Sequence, residues 1–559
     1  MQPTIAKTIK KYSADFIWKN LGAELVPVKD YYLKDNNNAV QKMITALSLV
    51  AVFILLMAII NFVNINIGTS SYRLKEIGLR KVFGSAKKQL IIQFIAEACL
   101  LTLIAAIISL ALYQLLIPIF SQVLNASLQS FWQFGFWQMV WLFLLVTLIG
   151  FISGIYPAFV LSAAAPVTAV KGKTDSLKGG IGVRRALLVI QFSLVITVFI
   201  CTLNVSRQVS YIFNKDTGYN SEQLLVITAF PKQWDTAGVL KMESIKQGLL
   251  QLSSVKAATL TFDLPESAPA GRFILYPPKG TGADKQVNLP VGTADEDFAK
   301  TFGMQIKAGS FFSNNKDGIV LNETAVKLLG LNLANAEGKI IETPVTGSPI
   351  TIRGVVKDFN FTSVQEAIGP IGFIHINGST VYRYLVLKLN TANIPQSMTE
   401  IKTAWKSLSP NAPFDYTFMD EKFAALYRSE LQLQKAADIA TVLNLIIVLM
   451  GIIGVVALTL VKRTKEIAVR KVMGATVGNI LTLFIKDYAL LILVANIIAW
   501  PLAYSVTSKW LQNYAYRIEQ SAMPYLFVSA FVFTTAFALI TAQCFKAAVT
   551  NPVKSLRTE

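Results

Sequence analysis

Long apolar segments that are nearly free of charge dominate the chain. A bilayer core requires about 20 helical residues to cross it, and seven segments are long enough to be predicted as membrane-spanning helices. A soluble protein would have to bury each of these segments as a central helix, and their number in one chain argues against that. The predicted spans are Met43–Ile67, Leu90–Ile119, Trp137–Leu161, Ala186–Leu203, Ile439–Val461, Ile480–Ser505 and Tyr525–Phe545.

Between the fourth and fifth spans, the long apolar segments give way to short runs separated by turn residues. Such runs predict alternating strands and helices, so residues 204–435 are predicted to form a compact α+β domain between two spans. The predicted fold class is an α-helical integral membrane protein of about seven transmembrane helices with an inserted extracytoplasmic α+β domain. Strands are expected at Leu224–Ile227, Thr351–Val356 and Tyr384–Leu389, and helices at Val239–Leu252 and Ile394–Leu408.

The basic residues lie beside the apolar segments. The chain has 52 Lys and Arg against 33 Asp and Glu, a formal net charge of +19, which fits either nucleic-acid binding or basic cytoplasmic loops. The position of the charges favours loops and argues against a nucleic-acid partner, because short loops rich in Lys and Arg stay in the cytoplasm. Strict alternation of the spans places all four basic segments inside, namely 73–88, 171–185, 462–471 and 546–557.

Two segments of the chain repeat each other at a constant offset. Tyr72–Leu101 aligns with Lys462–Leu491, and each half of the chain ends with three spans. The span Ala186–Leu203 has no counterpart in the first half. Orientation places Met1–Gln41 outside with no signal peptide or span before it, so we expect a lost eighth span and a natural start further upstream. Identical pairs are Arg73/Arg463, Lys75/Lys465, Glu76/Glu466, Ile77/Ile467, Arg80/Arg470, Lys81/Lys471, Val82/Val472 and Gly84/Gly474.

The repeated motif is predicted to form a short amphipathic helix on the cytoplasmic side. Glu76 and Arg80 are four residues apart and can pair on one helix face, and Gly84 suits a helix C-terminus. An alternative is an interfacial helix that binds lipid headgroups, but this does not explain why Glu, Ile and Gly recur in register. Apolar strips accompany both copies, formed by Leu79, Val82 and Phe83 and by Val469, Val472 and Met473.

Other candidate sites in the sequence are weak. Cys99, Cys201 and Cys544 fall in or beside spans without a CxxC pair, and His375 is the single histidine, so we expect no metal site, no cofactor and no catalytic residue. Asp295–Asp297 would have to bind calcium or form a solvated turn, and the turn is favoured because calcium-loop spacing is missing. Glu97 and Asp487 could handle an ion or hold the helix entry, and the structural role is favoured because acids near span ends reach the interface.

The motif copies KEIGLRKVFGS and KEIAVRKVMGA resemble the signature of the FtsX-type permease domain, a group that includes MacB-like and LolC-like proteins. The segments Phe298–Phe311, Gly318–Leu329 and Gly354–Phe359 are similar to the MacB-type periplasmic core domain. This resemblance gives the domain organisation. It comprises a remnant of a first extracytoplasmic domain at 1–41, permease units at 42–172 and 436–559, a basic linker at 173–185, a transmembrane helix at 186–204 and the core domain at 205–435.

The resemblance implies a permease subunit of an ABC assembly in the bacterial inner membrane. A separate ABC ATPase would push on the cytoplasmic motif, and the first span of each unit would carry that movement to the extracytoplasmic domain. The chain is not expected to be an enzyme, because Gly172-Lys173-Thr174 ends a phosphate-loop motif whose first glycine is replaced by Val167. The expected ATPase-coupling residues are Arg73, Lys75, Glu76, Ile77, Arg80, Lys81, Gly84, Arg463, Lys465, Glu466, Ile467, Arg470, Lys471 and Gly474.

Further partners are expected to be membrane lipid and either an exported adaptor protein or a second permease copy. Two functions of other classes stay open, namely a secondary transporter driven by an ion gradient and a membrane sensor or scaffold. The cargo cannot be read from one sequence.

Overall fold

The computed structural model describes residues 2–12, 25–124, 127–163, 178–228, 233–278, 286–312, 316–343, 348–390 and 393–549. It divides into two compact units. The membrane unit comprises Met1–Val209, Ser429–Lys509 and Glu519–Glu559, and the sheet unit comprises Ser210–Arg428 and Trp510–Ile518.

Long helices form the membrane unit, and seven of them are apolar enough to cross a membrane, which confirms all seven predicted spans. Lipid offers no hydrogen bonds to the backbone, so a spanning segment must satisfy its own N–H and C=O groups as a helix. The helices are α1 (Gln2–Tyr12), α2 (Val28–Val82), α3 (Lys87–Leu124), α4 (Phe136–Ala163) and α5 (Lys178–Asn214), followed after the sheet unit by α12 (Arg428–Lys462), α13 (Thr464–Val472), α14 (Val477–Leu511) and α15 (Met523–Val549).

Two predicted segments differ from what the sequence suggested. The repeated motif is not a separate short helix in the first half, because α2 continues from its span through to Val82. In the second half only Arg463 interrupts the helix, and its N–H still donates to Thr459 O at 3.0 Å while its carbonyl accepts from Ile467 N–H at 2.9 Å. No proline separates span from motif in either half, so helical bonding runs on. Of the predicted basic linker, residues 178–185 begin α5 and residues 173–177 lie outside the described residues.

The second half of the membrane unit has the larger buried core. Apolar residues of α5, α12, α14 and α15 meet there, including Phe192, Val456, Phe484 and Val532. The first-half core contains Ile77, Leu90, Phe94 and Ala158.

The two halves meet where α2 contacts α12 through glycines. A Cβ on Gly68 would lie 2.4 Å from a methyl group of Leu458, and a Cβ on Gly451 would lie 2.6 Å from Asn61 Oδ1. Small residues allow this close approach of membrane helices.

The sheet unit is built on eleven strands in the order β11-β1-β10-β2-β4-β9-β6-β8-β5, with β3 on β4 and β7 on β8. Only β4/β9 and β6/β8 pair in parallel. The strands are β1 (Leu224–Ile227), β2 (Val255–Thr261), β3 (Gly271–Leu275), β4 (Val287–Ala294), β5 (Ile306–Gly309), β6 (Ile319–Asn322), β7 (Ile340–Ile341), β8 (Ile350–Val356), β9 (Gly372–His375), β10 (Tyr384–Leu389) and β11 (Tyr416–Phe418).

Helices cover the sheet and bury its central strands. Residues of β1 are fully buried, as expected of a strand packed on both faces, and the predicted bounds of β1, β10 and the helix Ile394–Leu408 match the structure. The helices are α6 (Thr236–Leu250), α7 (Phe298–Phe302), α8 (Glu323–Leu328), α9 (Ile376–Ser379), α10 (Ile394–Leu408) and α11 (Met419–Leu426).

The acidic run at Asp295–Asp297 is a buried ion-pair cluster, so the favoured expectation of a solvated turn was wrong. Lys246 Nζ lies 2.8 Å from both Asp295 Oδ2 and Asp297 Oδ2, and the side chains of Lys246 and Asp295 are 3% and 1% exposed. A buried carboxylate requires such a partner because desolvation of an unpaired charge is costly. Among the described residues, no group of three or more His, Cys, Asp or Glu side chains could hold a metal ion.

The neighbouring Glu296 pairs with His375. Asn377 N–H donates to His375 Nδ1 at 3.1 Å, so Nε2 carries the hydrogen that is donated to Glu296 Oε2 at 2.9 Å. This hydrogen bond lowers the pKa of Glu296 from 4.5 to about 2.

The segment Trp510–Ile518, which follows α14, packs within the sheet unit. Ala515 N–H donates to Gln365 O at 2.8 Å, and Lys215 Nζ lies 3.9 Å from the centre of the Tyr516 ring. Besides Ser210 and Arg428, this segment is a further place where the chain passes between the two units.

Candidate coupling site

The two copies of the repeated motif, Arg73–Gly84 and Arg463–Gly474, are called the first and second elbow. Each elbow ends in a glycine whose backbone is left-handed, with φ of +90° at Gly84 and +91° at Gly474. The next N–H bonds back to the carbonyl of Arg80 or Arg470, at 3.0 and 2.9 Å. This arrangement satisfies carbonyls at the helix end and turns the chain directly into the following helix.

An isoleucine anchors each elbow to its helix bundle. Ile77 is 1% exposed and packs with Leu90, Phe94 and Ala158, and Ile467 is 9% exposed and joins the core of the second half. The recurring Ile of the motif therefore fixes the elbow against the adjacent helices.

An arginine–carboxylate pair ties the first elbow to α3. Arg73 donates from Nη1 to Glu97 Oε2 at 2.8 Å and from Nη2 to Glu97 Oε1 at 2.6 Å. Its guanidinium also lies 5.8 Å from the centre of the Phe94 ring. Hydrogen bonding to Glu97 raises the pKa of Arg73, and a two-bond fork of this kind fixes orientation as well as distance.

The second elbow repeats this arrangement more loosely. Arg463 lies 5.6 Å from the centre of the Phe484 ring, but its Nη2 is 3.9 Å from Asp487 Oδ2. Asp is one methylene shorter than Glu, and Asp487 also faces Arg185 Nη2 of α5 at 3.7 Å. The aligned acids Glu97 and Asp487 thus each face the arginine of their own elbow.

Other elbow cations make bonds within the chain. Arg80 pairs with Glu76 at 2.6 Å and donates to Gln93 Oε1 at 2.9 Å. Lys81 Nζ donates to Ser162 O, at the end of α4, at 2.6 Å. These contacts hold the elbow in shape, so its cations are not simply a free basic surface for a partner.

The tips of the elbows are apolar and exposed. Phe83 and Met473 occupy equivalent positions and are 80% and 81% exposed, and Val82 and Val472 beside them are 63% and 69% exposed. Large apolar side chains held in solvent at matching points of two repeats indicate an interaction surface. The sequence pattern contained these strips, but only charged, Ile and Gly positions were selected as coupling residues.

The structure therefore sorts the predicted coupling residues into groups. Arg73, Ile77, Lys81 and Gly84 hold the first elbow, and Arg463, Ile467 and Gly474 do so in the second. Arg470 pairs with Glu466 at 2.8 Å, and Lys471 is half-buried. The side chains of Lys75 and Lys465 lie outside the described residues.

Comparison with known proteins gives the same organisation. The FtsX-like permease C-terminal family matches residues 48–166 and 439–552, and the MacB-like periplasmic core domain matches residues 187–404. The macrolide export ATP-binding/permease protein MacB of Chromobacterium violaceum is 24% identical over 44% of this chain and 38% of its own length.

Two further relatives are similar over comparable stretches. MacB of Bordetella avium is 30% identical over 49% of this chain and 44% of its own length. The ABC transporter permease YknZ of Bacillus subtilis is 20% identical over 49% of this chain and 72% of its own length. This chain spans less than half the length of the two MacB proteins. With two FtsX-like units around a MacB-like core domain, the chain belongs to the multi-pass ABC transporter permeases of the MacB and FtsX family.

Proposed function

We propose that the chain is the permease subunit of an ABC assembly, in which ATP hydrolysis by a separate partner moves the extracytoplasmic domain. The observation that carries this proposal is the elbow itself, which is built twice with the same anchors and the same exposed apolar tip. Two equivalent elbows fit a motor with two equivalent ATPase subunits.

Mechanical transmission is supported by helix continuity. The 55 residues of α2 extend roughly 80 Å at the rise of an α-helix, and they include both the span and the first elbow. In the second half, α12 starts at Arg428, the last residue of this part of the sheet unit, and its hydrogen bonds continue into the second elbow. A stiff helix can convey displacement without conducting a substrate through the membrane.

We further propose that the assembly lies in the bacterial inner membrane and exports or extracts a substrate on its outer side. Hydrolysis is assigned to a partner because the sequence Gly172-Lys173-Thr174 lacks the first glycine of a phosphate loop. An ion-gradient mechanism would need a carrier carboxylate, and the candidates Glu97 and Asp487 both face elbow arginines.

Purification of the tagged chain from its native membrane tests this function. We expect an ATPase with a complete GxxxxGK[ST] motif, identified by mass spectrometry, to purify with the chain. Combined Arg80→Glu and Arg470→Glu substitutions should abolish this association, since they remove the Glu76 and Glu466 pairs that shape both elbows. The control Lys88→Glu changes an exposed cation outside the elbows. Unchanged association in the double variant would contradict the proposal.

A further inference from the structure

The two halves of the membrane unit bury their spans to different extents. In the most apolar stretch of each helix, 44% of α12 and 22% of α14 are buried, against 6% of α2 and 0% of α3 at the equivalent places. The difference comes from α5, which is 56% buried and packs on α12 and α14. Among the described spans, none covers α2 and α3 in this way.

Hydroxyl groups of α5 attach it to a stripe of small residues on α14. Ser193 Oγ donates to Ala495 O at 3.1 Å, and Thr197 Oγ1 donates to Ala499 O at 3.5 Å. Both alanines are fully buried. Small side chains let two membrane helices approach closely enough for such bonds.

The same stripe exists on α3, but it is exposed. The repeat offset pairs Ala105 with Ala495 and Ser109 with Ala499, and both first-half residues are exposed. The alignment is firm here because Ile107 matches Ile497, which remains 73% exposed beside the bound α5. The first half therefore presents an open helix-packing face.

The cytoplasmic end of this face is polar. In the second half, Arg184 Nη2 donates to Thr459 Oγ1 at 3.3 Å, and Arg185 lies 3.7 Å from Asp487. The first-half equivalents of Thr459 and Asp487 are Thr69 and Glu97. They line a cleft of about 420 Å³ together with Asn66 and Arg73.

We propose that the groove between α2 and α3 binds a membrane-spanning partner helix of the α5 type. This helix starts on the cytoplasmic side with a basic residue that approaches Glu97, and its small hydroxyl side chains face Ala105 and Ser109. A lipid tail would leave the polar residues of the cleft without partners in an apolar surrounding, which is costly. A helix satisfies both the charge and the small-residue stripe.

A synthetic peptide of residues 178–214 serves as the probe. The full chain, with its three cysteines replaced by serine, carries Ser109→Cys, and the peptide carries Cys201→Ser and Thr197→Cys. Both are reconstituted in nanodiscs, and disulfide formation is measured over time. The matched control chain carries Ile107→Cys, on the face that stays exposed in the second half.

We expect cross-linking to be several-fold faster with Ser109→Cys than with Ile107→Cys. We also expect Arg184→Glu with Arg185→Glu in the peptide to slow it to the control rate, with peptide helicity checked by circular dichroism. Equal rates at the two positions, or rates that ignore this charge reversal, would overturn the proposal and leave the groove to lipid. No ATPase takes part, so the result is independent of the proposed coupling function.

Discussion

Replacement of Phe83 and Met473 by serine is the sharpest test of the elbow tips. Each side chain is about four-fifths exposed, so the substitution removes little that stabilises the fold. Any loss of partner binding then reports the interface itself. The matched control Val28→Ser changes an apolar side chain that is 91% exposed at the start of α2, outside the elbows.

The expected magnitude follows from the exposed apolar surface. Full burial of a Phe or Met side chain contributes about 1.5–3 kcal/mol. With four-fifths of each side chain available, the two tips together contribute about 2.4–4.8 kcal/mol by the same scale. At about 1.4 kcal/mol per tenfold change, the double variant should bind its ATPase about 50-fold more weakly or worse.

The assay is a binding titration of the purified partner ATPase against the chain in nanodiscs, for example by microscale thermophoresis. The single variants should each produce part of the loss, because the tips belong to separate elbows. A Kd for the double variant that stays within the error of the wild-type value would refute the idea that the tips are buried in the interface.

Three further outcomes are expected. Lys246→Met should lower the thermal stability of the chain by about 3–5 kcal/mol, because it leaves the Asp295 charge buried without its cation, and an unchanged unfolding temperature would disprove this. Glu296 has a folded-state pKa below its ordinary value, so its stabilising effect is complete above pH 4.5 and is lost as the pH falls towards 2. The stability difference between wild type and Glu296→Gln should therefore shrink across that range, and a constant difference would contradict the assignment. Gly84→Ala and Gly474→Ala meet no neighbouring atom but should each cost about 1–2 kcal/mol through the left-handed backbone, seen as faster hydrogen exchange in the elbows; unaltered exchange would argue against such strain.

The membrane spans were predictable because their physical requirement is local. A helix that crosses a bilayer must be apolar over its own length, so the signal lies in consecutive residues. The same holds for β1 and β10, whose short apolar runs have the bounds seen in the structure.

Contacts between distant residues were not predictable in this way. Nothing near Asp295 in the sequence indicates that Lys246, in α6, supplies its counter-charge, so the acidic run resembled a solvated turn. Local composition also suggested that Arg73 and Lys81 were available to a partner. Their bonds to Glu97 and to Ser162 O depend on how three helices pack.

The helix turns at the elbows also determine how load travels through the protein. Only residues 83–86 and 473–476 separate the elbow helices from α3 and α14, and backbone bonds at Gly84 and Gly474 close both turns. A longer loop would act as a soft spring and absorb the motor's stroke as its own bending. Here the compliance in series is low, so a push at either tip arrives at the helix axes with little of its travel lost.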